Sequence, residues 1–399
     1  MPYKEKSSNH LFENILEEAV KSQSGYESWD IIINMAANKI REGRSADIIG
    51  RELHLPLQES KIVFDLAMSR IRAESKFSNY EKIWLDSYSS RYSTPEIVAS
   101  YRSERLKDNQ IVDIGSGAGI QSIFMAMNSR VTGIEVEKTR YLLSLLNSRA
   151  YNWERPLFIN GDFHSSDIGS LNPSIIFSDP LRPETETERS IRSLVPNPYE
   201  IMELYGHYTD EFVFDLPPQM KRSKVDFDDF ESEFISIGGS LNRFTVYLGK
   251  LKKKNFSAVL LPKMIRIESD KQEEIRGSVK THRKYIYSLD PAVIYAGLEG
   301  NISNEFSLPF LYRDKRRVIL TSDEKKDQFP GETFQVVGES TEDHLLNTLH
   351  YLGAGKIIPR YNPTEEYYNF KSIIESKLMG EELFYLFDQN GQILICKKM

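Results

Sequence analysis

The sequence predicts an α/β protein built on a parallel, doubly wound sheet, and three observations carry that prediction. Short apolar runs (QIVDI, RVTGIEV, PLFIN, SIIFSD and EFVFDLP) alternate with helical patterns between residues 110 and 217. The stretch IVDIGSGAGI, residues 111–120, passes from an apolar strand through three glycines into a helix start. An acidic residue stands at the end of each successive strand: Asp113, Glu135, Asp162 and Asp179.

The elements follow in order. Residues 1–88 predict a helical N-terminal domain. HLFENILEEAVKS, SWDIIINMAANKIREG, SADIIGRELH and LQESKIVFDLAMSRIRAESKF each repeat apolar residues at helical spacing. Gly25, Gly43 to Ser45, and Pro56 punctuate them. Residues 89–263 predict the α/β domain. Thr94 is placed to cap its first helix, with Pro95 at the first helical position and Glu96 near the positive end. IQSIFMAMNS and KTRYLLSLLNSRAYN are the helices between strands, and FESEFISIGG, RFTVYLG and FSAVLLP extend the sheet, some of them antiparallel. Residues 264–399 predict a separate α+β domain. TFQVVGES, GAGKIIPRY and ELFYLFDQNGQILICKK are its strands, with a hairpin turn at Asn390-Gly391. TEEYYNFKSIIESKLMG is a helix closed by Gly380, and Asp290-Pro291 starts another helix at the junction.

Composition excludes several classes. A single cysteine, Cys396, leaves no disulfide framework and no multi-cysteine zinc site, and the seven histidines show no metal-ligand spacing. No metal is expected. No apolar run approaches the ~20 residues of a membrane span, and MPYKEKSSNH lacks a signal-peptide core, so a cytoplasmic location and no membrane partner are expected. Net charge is −7, but residues 250–326 hold 17 Lys or Arg against 10 Asp or Glu. That local excess suits a polyanion or an ordinary solvated surface.

The glycine turn narrows the chemistry. Asp113-x-Gly115-x-Gly117-x-Gly119 brings its third glycine one residue earlier than the dinucleotide fingerprint, and no Gly-Lys-Ser/Thr follows to make a phosphate loop. A carboxylate at the end of the first strand sits poorly beside a pyrophosphate and well beside a cation. This argues for S-adenosylmethionine over a nicotinamide dinucleotide. Glu135, 22 residues on, stands where a carboxylate can accept both ribose hydroxyls. Asp162, in NGDF, lies near the expected place of an adenine. At the fourth strand, Asp179 in SDPLRP is the polar group best placed to orient or deprotonate an acceptor, and Pro180 fixes the backbone. Arg182, three residues on from Asp179, could hold a phosphate or stack as a planar cation. After the fifth strand, Lys221, Arg222 and Lys224 form a basic loop on the same edge.

The order VDIGSGAG, GIEVE, NGDF, SDP resembles the class I S-adenosylmethionine-dependent methyltransferases. YSTPEIVASYRSERL, SDPLRP, DLPP, EFISIGGSLNRFTVYLG, YSLDPAVIYAGL and YLGAGKIIPRYNP resemble the branch with a C-terminal THUMP-like domain, over roughly residues 85–399. The resemblance implies a Rossmann-like methyltransferase sheet and S-adenosyl-L-methionine as cofactor. The expected cofactor-binding residues are Asp113, Gly115, Ser116, Gly117, Gly119, Glu135, Asp162 and Phe163, and the expected catalytic residues are Asp179, Pro180 and Arg182. The implied function is methylation of RNA, foremost a guanine of tRNA at N7, N1 or N2, with tRNA or another structured RNA as partner. A small-molecule or protein methyltransferase is the alternative. An RNA-binding protein without catalysis fits less well, because Asp113, Glu135 and Asp179 are all present.

Overall fold

A computed structural model describes residues 2–151, 156–183, 190–275, 277–314, 316–363 and 366–399. The chain divides into two compact units, Met1–Phe230 with Phe244–Lys253, and Glu231–Arg243 with Lys254–Met399.

The first unit opens with helices α1 (Pro2–Lys21), α2 (Gln23–Arg41), α3 (Ala46–Glu52), α4 (Leu57–Ala73) and α5 (Ser87–Tyr92). The first break falls at Ser22 rather than at Gly25. Ser22 is extended and its side chain accepts from the Gly25 N–H, so the serine starts α2 as a cap and Gly25 lies inside the first turn. Glycine is required there by packing: a Cβ would sit 2.5 Å from the Glu18 carbonyl. Helix α6 (Glu96–Arg105) starts one residue later than expected, with Pro95 extended as the cap residue. The Thr94 cap is thereby corrected; proline's missing N–H costs nothing just before the first turn.

Five strands follow: β1 (Gln110–Ile114), β2 (Arg130–Glu135), β3 (Leu157–Asn160), β4 (Ile175–Ser178) and β5 (Phe212–Leu216). Helices α7 (Ile120–Met125), α8 (Lys138–Tyr151) and α9 (Pro198–Tyr205) connect them. The strands are parallel in the order β3-β2-β1-β4-β5, and Phe244–Tyr247 pairs antiparallel beyond β5. Nearly every residue of β1, β4 and β5 is buried, which explains their unbroken apolar runs. Ile114 is level with both Ile134 and Ser178, so Glu135 and Asp179 stand one step beyond it and Asp113 one step before, all within two residues of one another at the carboxyl ends of the strands. The helices over residues 1–88 share one apolar cluster with α7 and α8: Leu16, Ile33 and Leu66 join Ile123, Leu143 and Leu146. Arg149 of α8 donates to the Ala19 carbonyl at the end of α1 at 2.8 Å.

In the second unit, β6 (Glu231–Ile237) pairs parallel with β8 (Phe256–Leu261), which pairs antiparallel with β9 (Ile265–Ser269). Strand β7 (Ser240–Tyr247) lies between β6 and β8 in sequence, and its residues 240–243 belong to this unit. A second sheet has seven strands in the order β11-β12-β10-β13-β16-β15-β14. These are β10 (Tyr285–Leu289), β11 (Phe310–Arg313), β12 (Val318–Ser322), β13 (Gly331–Ser340), β14 (Ala354–Pro359), β15 (Glu382–Gln389) and β16 (Gln392–Lys398). Helices α10 (Pro291–Ala296), α11 (Glu299–Phe306), α12 (Leu345–Tyr351) and α13 (Tyr367–Glu375) complete the unit. Asp290 caps α10, accepting from the Ala292 N–H at 2.8 Å. Asn390 and Gly391 take φ 56° and 86°, which makes the hairpin turn. Cys396 is buried in β16. Helix α13 ends at Glu375, before Gly380; that glycine instead packs against the Gly353 carbonyl, where a Cβ would stand at 1.9 Å. Thr364 and Glu365, expected to open this helix, lie outside the described residues.

Candidate active site

The site is built on the β1–α7 turn. Gly115, Gly117 and Gly119 have φ of 77°, 58° and 81°, the left-handed region that side chains resist. The Gly115 and Ser116 N–H groups donate to the Ile134 carbonyl at 2.9 and 3.0 Å, which holds the turn against β2. Buried Asn147 of α8 fastens the other side, donating to the carbonyls of Ala118 at 2.9 Å and Trp84 at 3.0 Å. The space around the glycines differs. Nothing lies within 4 Å of a Cβ at Gly117, whereas one at Gly119 would stand 2.6 Å from Ser144 Cβ and 2.8 Å from the Phe158 ring. Gly119→Ala is therefore expected to lower stability by more than the ~1–3 kcal/mol of left-handed strain alone. Gly117→Ala should show strain only; thermal midpoints of the two variants check the order.

Beside the turn lies a cavity of about 390 Å3. Asp113, Gly115, Ser116, Gly117, Glu135, Asp162, Phe163 and Asp179 all line it. Gly119, Pro180 and Arg182 do not; Pro180 is buried and Arg182 is exposed outside the lining. Tyr88, Tyr92, Thr94, Gln121 and His164 also line the cavity.

The carboxylates differ in their surroundings. Glu135 is buried and accepts from the N–H groups of Gly117 (2.8 Å) and Glu137 (2.9 Å), so one side chain braces both loops it touches. Asp162 accepts from the His164 N–H at 3.0 Å and its Nδ1 at 2.7 Å, while His164 Nε2 meets Glu200 at 2.8 Å. The His164 backbone N–H, then its ring, holds Asp162 below the usual carboxylate range; Glu200 and Asp162 hold His164 above its own. Asp113 is buried and accepts a hydrogen bond from Ser122. Burial pushes its carboxyl up to about 7; Asp179 and Glu135 push the same way, against Ser122 and Arg102.

Behind the site lies a buried ion pair that the sequence did not announce. Arg102 of α6 is 0% exposed and binds Asp215 of β5 through two parallel bonds of 2.7 Å. It also donates to Gln121 Oε1 at 2.9 Å and Thr245 Oγ1 at 3.0 Å, and stands 5.0 Å over the Phe177 ring.

The basic segments fare differently from a free positive patch. In the basic loop, Arg222 lies over the Phe230 ring at 3.8 Å and is partly buried, which lowers its pKa. In the second unit, Lys254 pairs with Asp270, Arg313 with Glu299, Arg317 with Asp314 and His282 with Glu339. Asp270, Glu299 and Asp314 already stand among the ten acids of residues 250–326, so these pairs localise charge without reducing the net excess.

The parallel order β3-β2-β1-β4-β5, the glycine turn after β1 and the acidic ends of the strands define a Rossmann-like methyltransferase fold. The whole chain resembles a protein of Porphyromonas gingivalis W83 provisionally described as a methyltransferase. The match has a TM-score of 0.73 at 17% identity and covers 93% of this chain and 98% of that one. An RNA methyltransferase from Salinibacter ruber, solved with S-adenosyl-L-homocysteine, also matches, at 19% identity over 40% of this chain and 94% of its own. Its TM-score of 0.25 is too low to carry an argument. No family model matches the chain, and no curated protein matches it.

The residues of the cavity fit S-adenosylmethionine. Four carboxylates, Asp113, Glu135, Asp162 and Asp179, line one small space with a single guanidinium, Arg140, and a cationic sulfonium and ammonium would relieve the carboxylates' mutual repulsion. Among the described residues no helix is long and apolar enough to cross a membrane.

Proposed function

We propose that this protein is an S-adenosylmethionine-dependent methyltransferase whose acceptor is RNA, foremost a guanine base of tRNA. The observation that carries the reading is the acidic cavity at the ends of β1, β2 and β4, where burial, with Asp179 and Glu135 adding to it, pushes Asp113 up to about 7. Glu135 accepts from the ribose hydroxyls with the lone pairs its two backbone bonds leave over. Gly115 and Gly117 let the cofactor approach the backbone, with Ser116 between them. Asp162 and Phe163 flank the adenine. When bound, the cofactor supplies a methyl group already activated on sulfur, so alignment carries more of the rate than acid–base help. Asp179 orients the acceptor and, at N1 or N2, receives the proton the base loses (N7 bears none), Pro180 fixes the turn that presents it, and exposed Arg182 holds a phosphate or stacks on a base. The second unit, THUMP-like by resemblance, would present the RNA by its shape.

The test is incubation of the full chain with methyl-labelled S-adenosylmethionine and unmodified bulk tRNA. Label is expected in the RNA and lost in Asp179→Ala, and nucleoside mass spectrometry then names N7, N1 or N2. RNA binding should also weaken steeply with salt, as phosphate contacts release counterions. One observation favours a second reading, a small-molecule or protein acceptor: the chain as a whole is acidic, with a net charge of −7. Cofactor binding without label in RNA would select it.

A further inference from the structure

Gln121 is a buried polar group that the reading above leaves unused. It lies in the first turn of α7, is 6% exposed, and lines the cavity. Its Oε1 accepts from Arg102 at 2.9 Å, and its Nε2 is buried with no hydrogen-bond partner among the described residues. The orientation of this amide is fixed by chemistry. A guanidinium has donors only, so the amide oxygen must face Arg102 and the NH2 must face away from it. Arg102 is in turn clamped by Asp215 and Thr245, so the amide cannot turn over without breaking a buried network. A buried donor left unmet costs ~1–3 kcal/mol, and such a group in a binding wall is explained most simply by a ligand that meets it.

The sheet order says which part of the ligand. Glu135, the ribose acceptor of the proposed function, ends β2 on one side of β1. Gln121 is bonded to the guanidinium that lies over Phe177 of β4 and binds Asp215 of β5, on the other side of β1. It therefore stands toward the end of the cavity remote from the ribose, where the methionine part of the cofactor belongs. The amino-acid group there offers an ammonium, which only donates, and a carboxylate, which only accepts.

We propose that Gln121 Nε2 donates to the α-carboxylate of S-adenosylmethionine, with Arg102 polarising the amide from behind. Gln121 thus selects the complete amino-acid end of the cofactor, while the ribose and adenine are read elsewhere. The inference rests on the S-adenosylmethionine reading of the cavity.

The test is calorimetric titration of the full chain with two probes, S-adenosylhomocysteine and 5′-methylthioadenosine, which lacks the amino-acid end. Gln121→Leu is expected to weaken S-adenosylhomocysteine binding about 10- to 100-fold, the worth of one hydrogen bond to a charged group. Binding of 5′-methylthioadenosine should be unchanged. Gln121→Glu keeps an acceptor for Arg102, and with it the fold, but turns a carboxylate toward the ligand's own. It should lose as much or more, again for S-adenosylhomocysteine alone. An equal loss for both probes in Gln121→Glu, or no loss for either, overturns the inference while leaving the cofactor reading intact. Wild-type protein that binds neither probe overturns the cofactor reading and this inference with it.

Discussion

Replacing Arg102 with leucine should destabilise the fold by about 3–5 kcal/mol, the cost of breaking a buried pair from one side. The loss comes mainly from what the substitution leaves behind. Asp215 is 1% exposed, and both its carboxylate oxygens are held by Arg102. Without the guanidinium it keeps Thr245 as a donor but loses the cation that binds both its oxygens. Burial lowers the pKa of Arg102, yet Asp215, with Tyr247 and Asp179, outweighs burial and raises it. The pair is therefore charged, and each partner makes the other tolerable. It follows that Arg102→Leu combined with Asp215→Leu should recover most of the loss, since apolar replacement of a whole buried pair is often neutral. Denaturant unfolding of the single and double variants measures both. A single variant within about 1 kcal/mol of wild type, or a double variant worse than the single, would refute this account of the pair.

That pair also marks where sequence reasoning stops. Asp113, Glu135, Asp162 and Asp179 were readable because each ends a strand, and parallel strands bring their carboxyl ends to one edge. Neighbours in the chain carry that signal. Arg102 and Asp215 are 113 residues apart, and nothing local distinguishes this Arg in ASYRSERL from half-buried Arg105 or exposed Lys107 beside it. Gln121 was passed over for the same reason: its meaning depends on Arg102, which depends on Asp215. Gly25 and Gly380 were read as punctuation because glycine breaks helices in isolation. Both instead permit close packing, a tertiary fact that the local pattern does not hold. Strands β10, β11 and β12 escaped because YIYSL, FLYR and VILTS are short, and they settle as strands only through pairing with each other and with β13.

The second large effect concerns pH. Asp113 titrates near 7 in the folded protein, chiefly through burial, with Asp179 and Glu135 adding to it; unfolded, it would titrate near ~4. A carboxyl raised on folding contributes its stability fully below the unfolded value and loses it as pH rises through the folded one. The free wild-type protein should therefore lose stability between about pH 4 and pH 7 through this group. Asp113→Asn, which keeps an oxygen for Ser122, should unfold at a higher temperature than wild type at pH 8, with the advantage shrinking toward pH 5. Binding runs the other way. A cationic sulfonium favours the ionised carboxylate, so affinity for S-adenosylmethionine should fall as pH drops through 7. The fall approaches about tenfold per unit well below the folded pKa, the limit for one displaced proton. S-adenosylhomocysteine, whose sulfur is neutral, should show a shallower slope, and Asp113→Asn should flatten the difference between the two ligands. Calorimetry from pH 5.5 to 8.5 in buffers of differing ionisation enthalpy reads the proton count directly. Equal slopes for both ligands in the wild type, or a slope that survives Asp113→Asn, would remove Asp113 from the recognition of the sulfonium. The site would then owe its selectivity to Asp179 and Glu135 alone, and the instability that Asp113 imposes on the free protein would have no return in binding.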